Sequence, residues 1–319
     1  MNIVRYGVDA LTFDPASAVT VGTFDGVHVG HAGILDLMRS VASANHERIV
    51  VVTFDPHPQI VLARPDREPL RLLTSIDERC ELLEQQGVHT TVVIPFTKEF
   101  AATEAEDFVS TIIVRGVGVQ HFFIGHDHVF GKDRGGNEEL LQRLAPACGF
   151  TVVPIPPLSF DGVVVSSTKI RAAVKTGDVA SAATMLGRPY TVRGRVIRGD
   201  GRGRQLGIPT ANIMSQDPHK LMPGNGVYVV VATIDGQPRL GMANIGVRPT
   251  FTTDMLPTLE VHFLDVDADL YDNDIDVHFI AKIRDEQRFS GREEFLAQLQ
   301  QDRIQTTTYQ YQLKEWRTR

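Results

Sequence analysis

The chain has 319 residues, of which 42% are hydrophobic and 22% are charged, and its formal net charge is -7. This length favours two domains, because a single core seldom grows beyond about 250 residues. The acidic balance argues against a general nucleic-acid binder, which normally carries a basic footprint. The two cysteines, Cys80 and Cys148, form no C-x-x-C pair and fit a reducing cytoplasm. Without a signal-peptide core or an 18-residue apolar run, we expect a cytoplasmic protein that does not cross a membrane.

The first unusual stretch is Gly22–His31, with the sequence GTFDGVHVGH. It lies between an apolar run typical of a buried strand, Ala18–Val21, and a helical pattern over Ala32–Asn45, so it predicts a strand-to-helix turn. Its three glycines permit close backbone approach. His28 and His31 lie three residues apart, on one side of the first helical turn, where a helix N-terminus attracts phosphate. From these residues alone, the alternative is a glycine-rich turn with two surface histidines.

Apolar runs alternate with helical patterns through the rest of the first half, which predicts a doubly wound parallel sheet. Ligands bind beyond the carboxyl ends of the strands in such sheets. Three unusual strings follow strands directly, at 22–31, 55–58 and 125–136. The further predicted strands are Ile49–Phe54, Thr90–Ile94, His121–Gly125 and Thr151–Ile155, and helices are predicted after a capping box at Ser75–Glu78 and over Ala105–Ile113.

Residues 125–132, GHDHVFGK, form a candidate metal site together with His121, although no C-x-x-C or H-E-x-x-H pattern supports it. Residues 165–171, VSSTKIR, predict a helix with Ser167 as its N-cap, and two capped helices without further function are the alternative there. Both strings have a second interpretation, which follows from what residues 22–31 resemble.

The string at 22–31 resembles the nucleotidylyltransferase signature of bacterial bifunctional riboflavin kinase/FMN adenylyltransferases, the FAD synthetases. Residues 125–131 resemble the G-x-D-F-x-F-G loop of that family, and residues 165–171 resemble its [IV]-S-S-T-x-[IV]-R motif. His128 stands where the family usually has Phe, which predicts an altered stacking surface. Val164 stands where many relatives carry Arg or Lys, which predicts a missing phosphate or flavin contact.

The resemblance implies a Rossmann-like fold for the first half and adenylyl transfer from ATP to FMN with release of pyrophosphate. It assigns His28 and His31 to phosphate binding at the catalytic centre. The nucleotide-binding residues that it implies are Gly22, Phe24, Asp25, Gly30, Ser166, Ser167, Thr168 and Arg171, and the flavin-binding residues are Asp55, Pro56, His57, Asp127 and Phe130.

The periodicity changes after Gly187, where a glycine and a proline close a helix, so we predict domains at 1–187 and 188–319. Successive strands with few helices predict a small antiparallel β-barrel, followed by a C-terminal helix after a capping box at Ser290–Glu293. The predicted strands are Thr191–Arg198, Val227–Ile234, Arg239–Ile245, Thr258–Leu264 and Ile275–Ile283.

Residues 194–212 match the riboflavin-kinase signature of the same family throughout, and residues 244–251 resemble its N-I-G-x-[RN]-P-T-F string. Period-2 alternation puts Glu260 and His262 on one face of their strand. From the pattern alone this is a half-solvated edge strand, whereas the resemblance makes Glu260 the general base for the ribityl hydroxyl. It further implies metal binding by Thr210 and Asn212, nucleotide binding by Gly199, Gly203, Arg204, Gly207, Pro209 and Thr210, and flavin binding by Arg248 and Phe251.

The leading hypothesis is therefore an enzyme that phosphorylates riboflavin to FMN and adenylylates FMN to FAD, with ATP as co-substrate and Mg²⁺ as cofactor. We expect small-molecule substrates, no nucleic-acid or membrane partner, and a monomer or weak homo-oligomer. One alternative keeps only the kinase active, because His128 and Val164 depart from the family pattern. The other is a flavin-binding regulator without turnover.

Overall fold

In the computed structural model, residues 1–125, 128–156, 159–160, 163–199, 208–247 and 257–316 are described. The chain forms two compact units, Met1–Ser167 and Thr168–Arg319. The second unit therefore includes two helices that precede the predicted domain boundary at 187/188. That boundary stays a prediction.

The first unit is built on a six-stranded, all-parallel sheet in the order β1-β4-β3-β2-β5-β6, as the alternation of elements predicts. β1 was not predicted, because only Val4 of its four residues is buried and it makes no apolar run. From β2 the strand order runs through β3 and β4 towards one edge of the sheet, whereas β5 and β6 lie on the opposite side of β2. The topological switch point therefore lies between β2 and β5. The strands are β1 Asn2–Arg5, β2 Ser17–Val21, β3 Arg48–Asp55, β4 Thr90–Pro95, β5 His121–Gly125 and β6 Thr151–Ile155.

Apolar side chains cover both faces of this sheet, which is the doubly wound arrangement. Val50 and Val52 pack on one face with Ile112 and Leu141, whereas Val51 packs on the other among the helix residues around Leu35. The helices are α1 Val29–Asn45, α2 Pro58–Val61, α3 Ile76–Gln85, α4 Lys98–Ala101, α5 Ala105–Phe108 and α6 Glu138–Cys148, with a 3₁₀ turn at Lys132–Arg134 and a hairpin of β7 Ser159–Phe160 and β8 Val163–Val164.

Two predicted helix features can be checked directly. The capping box of α3 is confirmed, because the Glu78 N–H donates to Ser75 Oγ at 3.2 Å and the Ser75 N–H donates to Glu78 Oε2 at 2.7 Å. The helix predicted over Ala105–Ile113 extends further, since α5 continues as a π-helical segment, Val109–Val117, with its apolar side buried.

The second unit contains a closed antiparallel barrel in the order β10-β13-β12-β11-β14-β9, which confirms the predicted architecture. β10 was not predicted, because polar residues interrupt this short strand. The strands are β9 Tyr190–Ile197, β10 Ala211–Ser215, β11 Gly226–Ile234, β12 Gln237–Val247, β13 Pro257–Phe263 and β14 Asp274–Arg284, and the helices are α7 Ser167–Thr176, α8 Val179–Leu186, α9 Arg292–Thr307 and α10 Gln310–Trp316.

The predicted C-terminal helix, α9, packs on the barrel against β12 and β14. A second helix that was not predicted, α10, follows it, and Tyr309, Leu313 and Trp316 pack against an apolar cluster of the barrel. The capping box predicted at Ser290–Glu293 is wrong. Gly291 is the N-cap of α9, and the backbone N–H and hydroxyl of Ser290 donate to the Glu294 carboxylate at 2.8 and 2.6 Å. Ser290 therefore bonds to Glu294 and not to Glu293, with which it was predicted to pair.

His278 on β14 is a titratable side chain that packs against the C-terminal helix α10. Its Nδ1 lies 2.8 Å from Thr191 Oγ1, and its ring centroid lies 4.6 Å from that of Trp316. Burial lowers the pKa of His278 from 6.5 to about 4, and Asp276 only partly offsets this. Between these two values the unfolded chain binds a proton that the folded chain excludes, so stability rises with pH in this interval.

We therefore expect the free energy of unfolding of the barrel to fall as the pH is lowered from 6.5 to about 4, by as much as about 3 kcal/mol. Urea unfolding followed by the fluorescence of the single Trp316 measures it. The His278→Gln variant should lose much less stability over the same interval. An equal loss in both proteins would assign the effect to other groups.

Candidate active sites

The turn after β2 lies at the switch point of the sheet and has an unusual backbone. Phe24, Gly26 and Val27 have φ values of 48°, 88° and 36°. Left-handed backbone is strained for Phe and especially for the β-branched Val, and such strain is typical of functional turns. The conformation turns the chain so that His28 becomes the N-cap of α1.

His28 and His31 cap α1 reciprocally. The His31 N–H donates to His28 Nδ1 and the His28 N–H donates to His31 Nδ1, both at 3.3 Å. Their rings stack with centroids 3.7 Å apart at an angle of 13°, which confirms that they share one side of the helix. Because each Nδ1 accepts a hydrogen bond, the proton of each neutral ring is assigned to Nε2. Two Nε2–H donors at a helix N-terminus are an arrangement that suits an anion.

Two glycines make room for the aromatic rings of this turn. A Cβ atom on Gly30 would lie 3.2 Å from Cε1 and Nδ1 of His28, and one on Gly22 would lie 3.0 Å from Cε2 of Phe24. The Phe24 ring packs in turn against His31, with centroids 4.8 Å apart. The two glycines therefore leave space for these three rings, and a side chain at either position would displace a ring.

Asp25, a predicted nucleotide-binding residue, is 1% exposed. Its carboxylate accepts hydrogen bonds from the N–H groups of Leu73 and Thr74, at 3.0 Å each, and from the Thr74 hydroxyl at 3.1 Å. The Gly26 N–H donates to the same hydroxyl at 3.0 Å. The carboxylate thus fastens the turn to the segment that precedes α3.

We expect Asp25→Ala to lower the free energy of unfolding by about 2–4 kcal/mol, because two buried N–H groups lose their acceptor. Urea unfolding followed by far-ultraviolet circular dichroism measures the loss. Asp36→Ala is the matched control, since its ion pair with Arg39 is exposed and should contribute less than about 0.5 kcal/mol. Equal stability of the two variants would show that the Asp25 contacts contribute little.

At the carboxyl end of β3, a cis peptide joins Asp55 to Pro56 and His57 caps α2, its Nδ1 accepting from the Gln59 N–H at 3.1 Å. Beneath them lies Arg79, which is fully buried. Its Nη1 donates to the Phe54 carbonyl at 3.1 Å and to Thr53 Oγ1 at 3.2 Å, and that hydroxyl donates to the Thr23 carbonyl at 3.1 Å.

Sequence reasoning missed Arg79, Thr53 and Thr74, all of which support this edge of the sheet. The one signal was the position of Arg79 four residues before the buried Leu83, on the inner face of an amphipathic helix. A charged residue at a core position has to find partners, so it indicates a buried polar site.

The loop after β5 is described from His128 onwards. Burial lowers the pKa of His128, which is therefore neutral near pH 7, and its ring lies 6.2 Å from that of Phe130. Phe130, predicted to bind flavin, is buried and packs edge-on against Phe108 with centroids 5.6 Å apart. The candidate metal site combined this loop with His121. His121 lies at the start of β5, whereas His128 follows the end of the strand, and His121 Nδ1 lies 2.6 Å from Glu47 Oε1. His121 therefore does not join the described part of the loop in a metal site.

The string 165–171 is divided between the two units. Helix α7 begins at Ser167 itself, and the Ser167 hydroxyl donates to the Asp25 carbonyl at 3.0 Å, which ties this residue to the turn after β2. Ser166 is half-buried and belongs to the same unit. Thr168 and Arg171 follow on α7 in the second unit, and Val164 ends β8.

In the barrel, two residues of the predicted kinase site, Glu260 and Asn212, lie side by side, and Asn244 of the string 244–251 lies next to Glu260. Glu260 on β13 is opposite Asn212 on β10 and opposite Asn244 on β12, which corresponds to Cβ separations of about 4.5–5.5 Å. Leu259, Val261 and Phe263 are buried inside the barrel. Glu260 and His262 therefore face outwards, as the alternation predicts.

A cavity of about 220 Å³ is lined by the predicted residues Gly199, Pro209, Thr210 and Asn212, together with residues 266–271. A Cβ atom on Gly199 would lie 2.2 Å from Nδ2 of Asn212, so only glycine leaves this amide in place. The Thr210 hydroxyl and the Asn212 amide oxygen are hard donors, which Mg²⁺ prefers.

A second cavity, of about 700 Å³, lies between the barrel and α9. It was not predicted, since its walls come from segments far apart in the chain. Pro209 and Phe263 line both cavities. Its other walls include Met242, His262, Leu296, Leu299 and Arg303.

Six predicted site residues lie outside the described residues. They are Asp127, Gly203, Arg204, Gly207, Arg248 and Phe251.

Two family models match this chain, one in each half. A family model described as FAD synthetase matches residues 11–169, and one described as riboflavin kinase matches residues 186–310. The bifunctional riboflavin kinase/FMN adenylyltransferase of Pseudomonas fluorescens is 41% identical over 274 residues, or 86% of each chain. This chain belongs to that family. Relatives of the same description from Escherichia coli (strain K12) and Bacillus subtilis are 36% and 34% identical, over 95% and 92% of this chain and 96% and 92% of their own.

A solved structure described as a macrolide-efflux protein from Streptococcus pneumoniae is 31% identical, with a TM-score of 0.86, over 96% of this chain and 99% of its own. Within the described ranges of the present chain, every helix is too short or too polar to cross a membrane.

Proposed function

We propose that this chain converts riboflavin to FAD in two ATP-dependent steps. The observation that carries the proposal is the stacked pair of His28 and His31 at the switch point of the first unit, with both Nε2–H groups assigned as donors. In the second unit, the alignment of Glu260 with Asn212 and Asn244 supports the other half of the proposal.

In the first unit the proposed reaction is adenylyl transfer. A phosphate oxygen of FMN attacks the α-phosphorus of ATP, and the bond to pyrophosphate breaks. No protein nucleophile takes part, so the protein aligns the two substrates and stabilises charge on the phosphates. His28 and His31 donate hydrogen bonds to phosphate, and Ser166 is a further proposed contact. Thr168 and Arg171 stay predictions from the family resemblance, which makes Arg171 a permanent cation for the leaving pyrophosphate.

In the second unit the proposed reaction is phosphorylation of riboflavin. Glu260 accepts the proton of the ribityl hydroxyl as that oxygen attacks the γ-phosphorus of ATP and ADP leaves. Thr210 and Asn212 are the residues that would hold Mg²⁺, which neutralises charge on the phosphates. We propose that the smaller cavity takes the nucleotide, because it contains these two residues. We propose that the larger cavity, whose walls are apolar and polar in about equal parts, takes the flavin ring.

We further propose that the adenylyltransferase occupies residues 1–187 and the kinase 188–319. The same proposal includes a cytoplasmic location, small-molecule substrates without a nucleic-acid partner, and a monomer or weak homo-oligomer.

A time course with riboflavin, ATP and Mg²⁺, with the three flavins separated by chromatography, tests the proposal. We expect FMN first and FAD afterwards, and neither when Mg²⁺ is chelated. FMN that accumulates without FAD would leave a kinase alone and direct attention to His128 and Val164. Unchanged riboflavin, with a parallel assay from FMN also silent, would leave a flavin-binding protein.

A further inference from the structure

His262 lies two residues after Glu260 on the same outward face of β13, and it also lines the larger cavity. Its ring makes one contact of direct interest. Nδ1 lies 2.8 Å from the carbonyl oxygen of Pro209. A carbonyl only accepts, so Nδ1 carries the proton and donates.

Pro209 occupies an important position because it lines both cavities and directly precedes Thr210. It is itself exposed, so packing alone does not hold it. Its carbonyl belongs to the planar peptide unit that includes the Thr210 nitrogen, so a shift of this carbonyl moves the backbone of Thr210. The hydrogen bond from His262 therefore joins the segment of the proposed metal ligand to the strand of the proposed base.

We propose that His262 is a positioning residue of the kinase half, which holds Thr210 at a fixed distance from Glu260 through the Pro209 carbonyl. This inference rests on the proposed riboflavin kinase activity. It deepens that proposal by naming what keeps the metal-binding segment aligned with the base. Misplacement by about 1 Å costs on the order of 100-fold in rate.

Three variants separate this role from the alternatives. The side-chain nitrogen of Asn is bonded to Cγ, as Nδ1 is in histidine, so His262→Asn keeps a donor near the Pro209 carbonyl. Gln carries its nitrogen one atom further out, near the place of Nε2, and Leu carries none. We expect His262→Leu and His262→Gln to lower kcat of riboflavin phosphorylation by about 10- to 100-fold. Both should raise KM for ATP with Mg²⁺, whereas His262→Asn should recover most of the loss.

Each variant is also assayed for FAD formation from FMN, which should stay at the wild-type rate. Urea unfolding followed by the fluorescence of Trp316, which packs against the barrel, reports that the second unit has folded. His219→Leu is the matched control. His219 lies in the same unit and is not among the described residues that line the two cavities. A wild-type protein that makes no FMN would refute the proposed function itself. With an active wild type, a Gln variant as active as the Asn variant, or three variants within twofold of wild type, would overturn the role of His262. If the Leu variant fails to fold, the comparison of Asn with Gln still decides.

Discussion

Replacing His28 with alanine should abolish adenylylation of FMN, with a loss of at least about 100-fold in kcat, which is the cost of removing one donor from a charged transition state. The substitution removes the Nε2–H donor that we assign to the ATP phosphates. It also removes the ring that stacks on His31 at 3.7 Å. Riboflavin phosphorylation should be unchanged, because the barrel carries its own residues for that reaction. The measurement is the rate of FAD formation from FMN and ATP, beside the rate of FMN formation from riboflavin.

Alanine also deprives α1 of its cap, since His28 Nδ1 accepts the His31 N–H, and lost caps cost about 1 kcal/mol. His28→Asn separates the two effects. Asparagine is among the best N-cap residues, so this variant keeps an acceptor for His31 but has no atom in the place of Nε2. We expect it to be stable and inactive in adenylylation.

His46→Asn is the matched control. His46 is exposed at the other end of the same helix, with a φ of 58° that asparagine tolerates, and its loss should leave both activities intact. FAD formation by His28→Asn near the wild-type rate would show that the His28 ring does not contact the reacting phosphates.

The sequence could predict the parallel sheet and the barrel, because most of their strands, β1 and β10 excepted, are apolar runs with clear turns between them. It could also predict that Glu260 and His262 share a face, since alternation needs only neighbouring residues. It could not place Asp25, whose carboxylate binds backbone groups 48 and 49 residues further along the chain. Local patterns carry no information on such distant partners, and the role of Asp25 in nucleotide binding stays a prediction.

The same limit applies to the kinase site. The alignment of Glu260 with Asn212 depends on the register of two strands that are 48 positions apart, and the contact between His262 and Pro209 spans 53 positions. The left-handed backbone of Phe24 and Val27 could not be predicted either, because these residue types rarely adopt it. The motif strings name the residues, and the tertiary structure adds that Asp25 holds the turn to the segment before α3.

Glu260→Gln should abolish phosphorylation of riboflavin and leave adenylylation of FMN intact. Glutamine keeps the size of the side chain and its place between Asn212 and Asn244, but it cannot take the proton of the attacking hydroxyl. General bases contribute typically about 10²- to 10⁴-fold, so we expect a kcat for FMN formation reduced by that factor. Because the substitution is nearly isosteric at a half-buried position, the stability of the barrel should change little.

The two reactions are measured separately, from riboflavin and from FMN, so that loss of the first step does not hide the second. Glu293→Gln on the exposed side of α9 is the matched control and should retain both activities. Loss of both activities in Glu260→Gln would mean that the substitution damages more than one site, and loss of neither would mean that Glu260 is not the base. Selective loss of the kinase reaction would establish Glu260 as a base that serves only the second unit, because a shared catalytic group could not be removed from one reaction alone.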